Sequence, residues 1–147
     1  AKFTVHTVGF LSTRIKMEKT GSIKVEARTR SGRELQAVHK VTIVKGKKPS
    51  PASNGSRDIK DIRMKIFNQK SLKIWMSRYP MDERQFIKEI RIWGGQNTQL
   101  LATLKTTAWL SDNPFIELRT AEEVAGKIMV EMKDNRRHSA TARVPNN

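Results

Sequence analysis

The sequence contains no cysteine, which excludes disulfides, thiolate metal sites and thiol nucleophiles. No apolar run approaches the roughly 20 residues that a membrane helix needs, so no membrane span is expected. Aromatic residues are few: three Trp, five Phe and one Tyr. Once a core has taken its share, little remains for a base-stacking surface. Acid is scarce, with 14 Asp and Glu against 29 Lys and Arg, a formal charge of +15. A basic-then-apolar leader is also missing, and the chain begins with Ala1; the expectation is that a leader has been removed or that the N-terminus has been cut away.

Catalytic patterns are missing as well. His6, His39 and His138 are far apart and have no ligand-like spacing, so each is read as a surface strand residue and not a metal ligand. No Ser-His-Asp order sits in a recognisable context. There is no glycine-rich phosphate loop, since Gly94-Gly95 ends a strand pattern. The neighbouring carboxylates Asp58/Asp61 and Glu122/Glu123 lack the apolar surroundings that would split their proton affinities. The sequence therefore predicts a protein that is not an enzyme and needs no cofactor or metal.

What is present is base and strand pattern. Residues 1–57 carry 13 Lys and Arg against 3 Asp and Glu, and residues 58–147 carry 16 against 11. Such an excess favours anionic partners. Along residues 1–44, Ile15 and Met17 alternate with Arg14, Lys16 and Glu18. Ile23, Val25 and Ala27 alternate with Lys24, Glu26 and Arg28. Period-two alternation of this kind marks half-buried strands. Arg30-Ser31-Gly32-Arg33 is a hairpin signal, and Leu35 to Val44 is the return strand. About four strands are expected, short of the roughly seven that an immunoglobulin-type sandwich needs. Residues 45–57, rich in Pro, Gly, Ser and Lys, read as an exposed linker.

Residues 58–147 give seven strand patterns. These are Ile62–Ile66, Leu72–Met76 with Trp75 on the opposite face, Phe86–Trp93, Leu100–Trp109, Phe115–Leu118, Ala125–Met132 and Ser139–Val144. Turn signals at Tyr79-Pro80, Gly94-Gly95, Asp112-Asn113-Pro114 and Asp134-Asn135 separate them. The predicted class is all-β, built of immunoglobulin-like β-sandwich units, with the first incomplete at its N-terminus. The hairpin pattern Ser22–Val41 is echoed by Lys127–Val144, consistent with two related units.

Two stretches resemble known proteins. Ser12-Thr13-Arg14-Ile15-Lys16-Met17, Ile23 to Ala27, Ser31-Gly32-Arg33 and Lys40 to Ile43 resemble the last third of SoxY, a bacterial sulfur-oxidation carrier. Ser77 to Met81, Phe86 to Gly95 and Asp112 to Leu118 resemble its partner SoxZ. The order is similar to fused SoxYZ-like carriers, some of which accompany quinoprotein dehydrogenases. On this resemblance residues 1–44 are a partial SoxY-like unit and residues 58–147 a SoxZ-like sandwich. The resemblance implies a periplasmic, non-enzymatic carrier or binding protein that docks to oxidoreductases in sulfur or quinoprotein-linked oxidation. In that family SoxY ends in a Gly-Gly-Cys-Gly-Gly arm whose cysteine holds the intermediate. Here Val44-Lys45-Gly46-Lys47-Lys48-Pro49 follows the last strand, and the carrier cysteine is absent.

The residues expected to bind are Arg14, Arg28, Arg30 and Arg33 on a basic strand face, with Arg78 and Tyr79. Their expected partners are oxidoreductases or other proteins with anionic surfaces. An incomplete first unit also predicts a homodimer by strand exchange. The alternative is a basic β-fold module that binds nucleic acid, with Trp75, Tyr79 and Trp93 stacking bases.

Overall fold

The computed structural model describes residues 1–6, 8–17, 19–43, 58–76, 79, 81–95, 97–120, 123–124 and 126–144. The linker expected at residues 45–57, and Arg78, lie outside these. Among the described residues there are strands and no helix: β1 Lys2–Val5, β2 Val8–Thr13, β3 Gly21–Arg28, β4 Glu34–Val41, β5 Ile62–Phe67, β6 Ser71–Met76, β7 Ile87–Gly94, β8 Gln99–Lys105, β9 Phe115–Thr120, β10 Ile128–Asp134 and β11 Ser139–Val144. The all-β class and the seven strands expected after the linker are as the alternation predicts. The fourth of them stops at Lys105, short of Trp109.

The chain forms two compact units, one of Ala1–Lys16 with Pro51–Asn147 and one of Met17–Ser50. This is a different boundary from the one expected. Residues 1–16 do not stay with the strands that follow them. β1 pairs with β8 (Phe3 opposite Leu104) and β2 pairs with β9 (Leu11 opposite Leu118). The larger unit is thus an antiparallel sandwich of a five-stranded sheet, β1-β8-β7-β10-β11, and a four-stranded sheet, β2-β9-β6-β5. Ile15, expected in a strand, makes only an isolated bridge to Leu110.

The core follows from the alternation. Ile128, Val130 and Met132 of β10 are fully buried, as are Ile90 and Ile92 of β7 and Ala102 of β8. They face Leu72, Ile74 and Met76 of β6 and Ile116 and Leu118 of β9, all at most 3% exposed. At roughly 1.5–3 kcal/mol for each large apolar side chain removed from water, this layer dominates the stability of the unit. The register between β10 and β7 shifts at Lys133/Asp134. That bulge lets both Ile87 and Ile90 point inward although three residues apart,.

The smaller unit contains one hairpin, β3 with β4, in the register Val25 opposite Ala37 and Ala27 opposite Leu35. Its turn is closed by Gly32 N–H donating to the Thr29 carbonyl at 3.0 Å and by Thr29 N–H donating to the Arg33 carbonyl at 2.8 Å. Gly32 has φ of 87°, a conformation open to glycine at little cost. Ile23, Val25, Ala27, Leu35, Ala37 and Val41 share one face. Even so, none of the described residues of this unit is buried, and Val25 and Leu35 are 55% and 48% exposed. The echo between Ser22–Val41 and Lys127–Val144 is therefore real as two hairpins, but only β10–β11 is part of a sandwich.

Candidate docking face

The outward side of the four-stranded sheet is built by the residues between the core positions. Residues directly opposite on paired strands share a face, so the register sets out three rows. Arg63 lies opposite Trp75 and Trp75 opposite Phe115, with Arg14 continuing past the end of β2. Lys65 lies opposite Lys73, Lys73 opposite Glu117 and Glu117 opposite Ser12. Phe67 lies opposite Ser71, Ser71 opposite Arg119 and Arg119 opposite Phe10. One sheet face thus holds five cations, four aromatic rings and a single carboxylate.

Rings and cations are in contact. The Arg14 guanidinium lies 4.8 Å from the centre of the Phe115 ring, and that of Arg119 lies 4.5 Å from the centre of Phe10. Lys65 Nζ and Lys73 Nζ approach Phe67 at 5.0 and 4.7 Å. These cation–π contacts hold the side chains over the sheet, each worth roughly 0.5–1 kcal/mol at an exposed site. The one carboxylate, Glu117, is committed. Its Oε1 accepts from Arg119 Nε at 3.1 Å and from Ser71 Oγ at 3.4 Å. Lys65 and Lys73 therefore face each other as like charges across the strands.

Local bonds fix the Arg14 corner. Ser111 N–H donates to the Arg14 carbonyl at 3.2 Å and Lys16 N–H to the Trp109 carbonyl at 2.7 Å. Lys16 Nζ pairs with Asp112 and donates to the Met81 carbonyl. Met81 N–H in turn donates to Asp112 Oδ1 at 3.1 Å. An open cleft of about 340 Å³ lies here, lined by Arg14, Trp75, Met76, Asn113, Pro114 and Phe115. Trp109 and Ile15 stand exposed nearby in the chain, at 56% and 46%.

The outward face of the five-stranded sheet is different. Glu89 lies opposite Lys105 and Arg91 opposite Thr103, and Glu131 lies opposite Arg91. Arg91 Nη2 reaches Glu89 Oε1 at 2.9 Å and Lys133 Nζ reaches Glu131 Oε1 at 3.1 Å. Two carboxylates, Glu89 and Glu131, stand among the cations there, although Lys2 lies opposite Lys105 at the β1 edge, and Trp93 sits half-buried among them.

Of the residues singled out in the sequence, Arg14 lies on the basic face. Arg28, Arg30 and Arg33 gather at the exposed tip of the β3–β4 hairpin. The basic strand face expected over residues 14–33 is thus divided between the two units. Tyr79 is not a surface residue, because it is 2% exposed and belongs to a buried polar cluster. Its hydroxyl donates to Asp134 Oδ2 at 2.8 Å and accepts from Gln85 Nε2 at 2.9 Å. Asp134, with a fully buried side chain, also accepts from His138 N–H at 2.7 Å and Arg136 N–H at 2.9 Å, and meets His138 Nδ1 at 2.7 Å. Burial pushes the Asp134 carboxyl up, but the donors from His138, Tyr79 and Arg136 outweigh it and hold it below the usual carboxylate range,. Burial and the neighbouring Asp134 charge push the Tyr79 phenol well up. This cluster ties the turn after β10 to the segment before β7. Its Tyr79, Gln85 and Asp134 members are buried, and His138 is its exposed edge.

Sequence reasoning missed Phe10, Arg63, Lys65, Phe67, Lys73 and Arg119 as parts of one surface. Among the described residues no three His, Cys, Asp or Glu side chains come together as a metal site, and no helix is long and apolar enough to cross a membrane.

Residues 77–145 match the family model of the sulphur oxidation protein SoxZ. No curated protein matches the chain. A solved structure of the superoxide reductase (1Fe-SOR) from Giardia intestinalis is similar in fold, with a TM-score of 0.50 and 15% identity over 60% of this chain and 99% of that one. At 15% identity the likeness is one of fold alone. The sandwich unit therefore carries, over residues 77–145, a SoxZ-like stretch of the sulfur-oxidation kind.

Proposed function

We propose that the protein is a non-enzymatic, periplasmic binding or carrier protein of SoxYZ-like type that docks to oxidoreductases in sulfur or quinoprotein-linked oxidation. The observation that carries this reading is the SoxZ match over residues 77–145. The chain departs from that type in having no thiol, which a covalent carrier would need,. The residues before the linker are taken as SoxY-like on their resemblance alone. Function then rests on surface recognition and not on a carried sulfur adduct.

The test is direct. The purified protein is incubated with thiosulfate and an oxidant and examined by intact-mass spectrometry, and its binding to purified periplasmic sulfur-oxidising or quinoprotein enzymes is measured by surface plasmon resonance. The expected result is no adduct and saturable docking that weakens as salt rises. Absence of docking to every such enzyme removes the reading. Self-association through the hairpin, whose two edges and apolar face are exposed, is the accompanying expectation. Sedimentation as a monomer at micromolar concentration removes that part alone.

A nucleic-acid reading is the second candidate, because Trp75 and Phe115 stand beside Arg14 and Arg63 on one face. Anisotropy with short single strands at moderate salt decides it, and no binding at micromolar protein disposes of it.

A further inference from the structure

We infer that the outward face of the four-stranded sheet is a docking surface for an acidic protein segment whose carboxylates lie across the Lys65–Lys73 row and the Arg14 and Arg119 corners. This deepens the proposed function by naming the surface and the chemistry of the partner, and it rests on that reading.

Three observations carry it. The first is charge. Arg14, Arg63, Lys65, Lys73 and Arg119 share the face with one carboxylate, Glu117, already engaged by Arg119 at 3.0 Å. Electrostatic complementarity therefore selects an anionic occupant. The second is a like-charge pair at the outer edge of the row, beyond the one carboxylate, Glu117, that borders Lys73 on its other side. Lys65 stands directly opposite Lys73, and like charges so placed are destabilising. On the other sheet Lys2 likewise stands opposite Lys105, but there Glu89 lies between Lys105 and Lys133, and Arg91 lies opposite Glu131. A carboxylate of the partner between Lys65 and Lys73 would neutralise this pair on the side that Glu117 does not reach.

The third observation separates carboxylate from base. Phe10, Phe67 and Phe115 each already carry a cation of this chain within 5.0 Å of the ring centre. Rings covered in this way are not free platforms for stacking nucleobases. They position the cations instead, lowering the side-chain entropy lost when an anion binds. Of the four rings on this face, Trp75 has no cation over it among the described residues, and it is half-buried. The face is thus organised for carboxylates and not for a single strand.

The experiment uses the full chain, with fluorescein-labelled poly-L-glutamate of about 20 residues and a single-stranded dT oligomer of equal charge as probes. Anisotropy is measured at low and moderate salt. The expected result is saturable binding of polyglutamate, tighter than the oligonucleotide. The double variant K65E/K73E is expected to weaken it about tenfold or more, while R28E/R30E at the hairpin tip, with the same change in net charge, shifts it less than about threefold. K65Q/K73Q serves as the milder variant, and circular dichroism melting confirms that each folds. Equal losses from both charge reversals refute the surface, since net charge alone then explains binding. Tighter oligonucleotide binding, or no polyglutamate binding, refutes the partner class. An oxidoreductase that docks equally well to K65E/K73E places the contact elsewhere and leaves the binding-protein reading intact. An oxidoreductase that does not dock to the wild type removes that reading, while polyglutamate still reports on the face.

Discussion

Replacing Asp134 by Ala tests the buried cluster most sharply. The carboxylate accepts from Tyr79 and Gln85, both nearly fully buried, and from groups of Arg136 and His138 that lie close to solvent. Water can reach the latter when the carboxylate is removed. The Tyr79 hydroxyl and Gln85 amide cannot be rehydrated without opening the segment before β7. Each stranded buried donor costs roughly 1–3 kcal/mol, so D134A is expected to lose about 3–4 kcal/mol. That is a fall of about 10–15 °C in Tm for a unit of this size. Y79F removes one donor and leaves the carboxylate with its other partners, and about 1 kcal/mol is expected. Urea denaturation at pH 7, followed by tryptophan fluorescence, measures both. The Asp134 carboxyl is held below its usual range when folded, so its contribution is complete above the unfolded value near 3.9 and is lost as pH falls through the folded one. D134N should therefore show a shallower loss of stability than wild type below about pH 4. A D134A variant within about 1 kcal/mol of wild type, or a Y79F cost exceeding that of D134A, refutes the assignment of Asp134 as the anchor.

Further outcomes follow from the packing. Ile116, 1% exposed, leaves a cavity when cut to Ala, and I116A should lose about 2–5 kcal/mol in the same assay. L35A, on the exposed hairpin, should stay within about 0.5 kcal/mol. A Cβ on Gly94 meets Leu101 Cδ1 at 2.8 Å and Val124 Cγ1 at 3.4 Å, so G94V should cost about 1–3 kcal/mol by overpacking. A G94V variant as stable as wild type would show that Leu101 yields freely. Hydrogen exchange should find the amides of β3 and β4 exchanging well before those of β7 and β10, since a lone two-stranded sheet is marginal in water. Equal protection would contradict the separation of the two units.

Much of the sandwich was legible because side chains on a half-buried strand alternate. Ile128, Val130 and Met132 marked one face and Leu72, Ile74 and Met76 another, and both sets are core. Where a strand departs from strict alternation, the pattern alone does not say which side chains turn inward. Ile87 and Ile90 are both inward only because of the bulge against β10. Tyr79 was grouped with Trp75 and Arg78 on proximity in the chain. In the fold β6 ends at Met76, and Tyr79 turns inward to Asp134, a residue that on sequence alone reads only as part of a turn.

By itself the sequence determined what depends on local spacing and composition: an all-β chain, seven strands after the linker, a hairpin at Arg30–Arg33 and no thiol chemistry. Strand partnership was left to the tertiary structure, because pairing joins residues about a hundred positions apart and leaves no local trace. Only that structure decided that residues 2–13 leave their neighbours to pair with β8 and β9. It alone assembled Phe10, Arg14, Lys65, Lys73 and Arg119, each an ordinary outward position on its own strand, into one basic face whose like charges lie opposite one another.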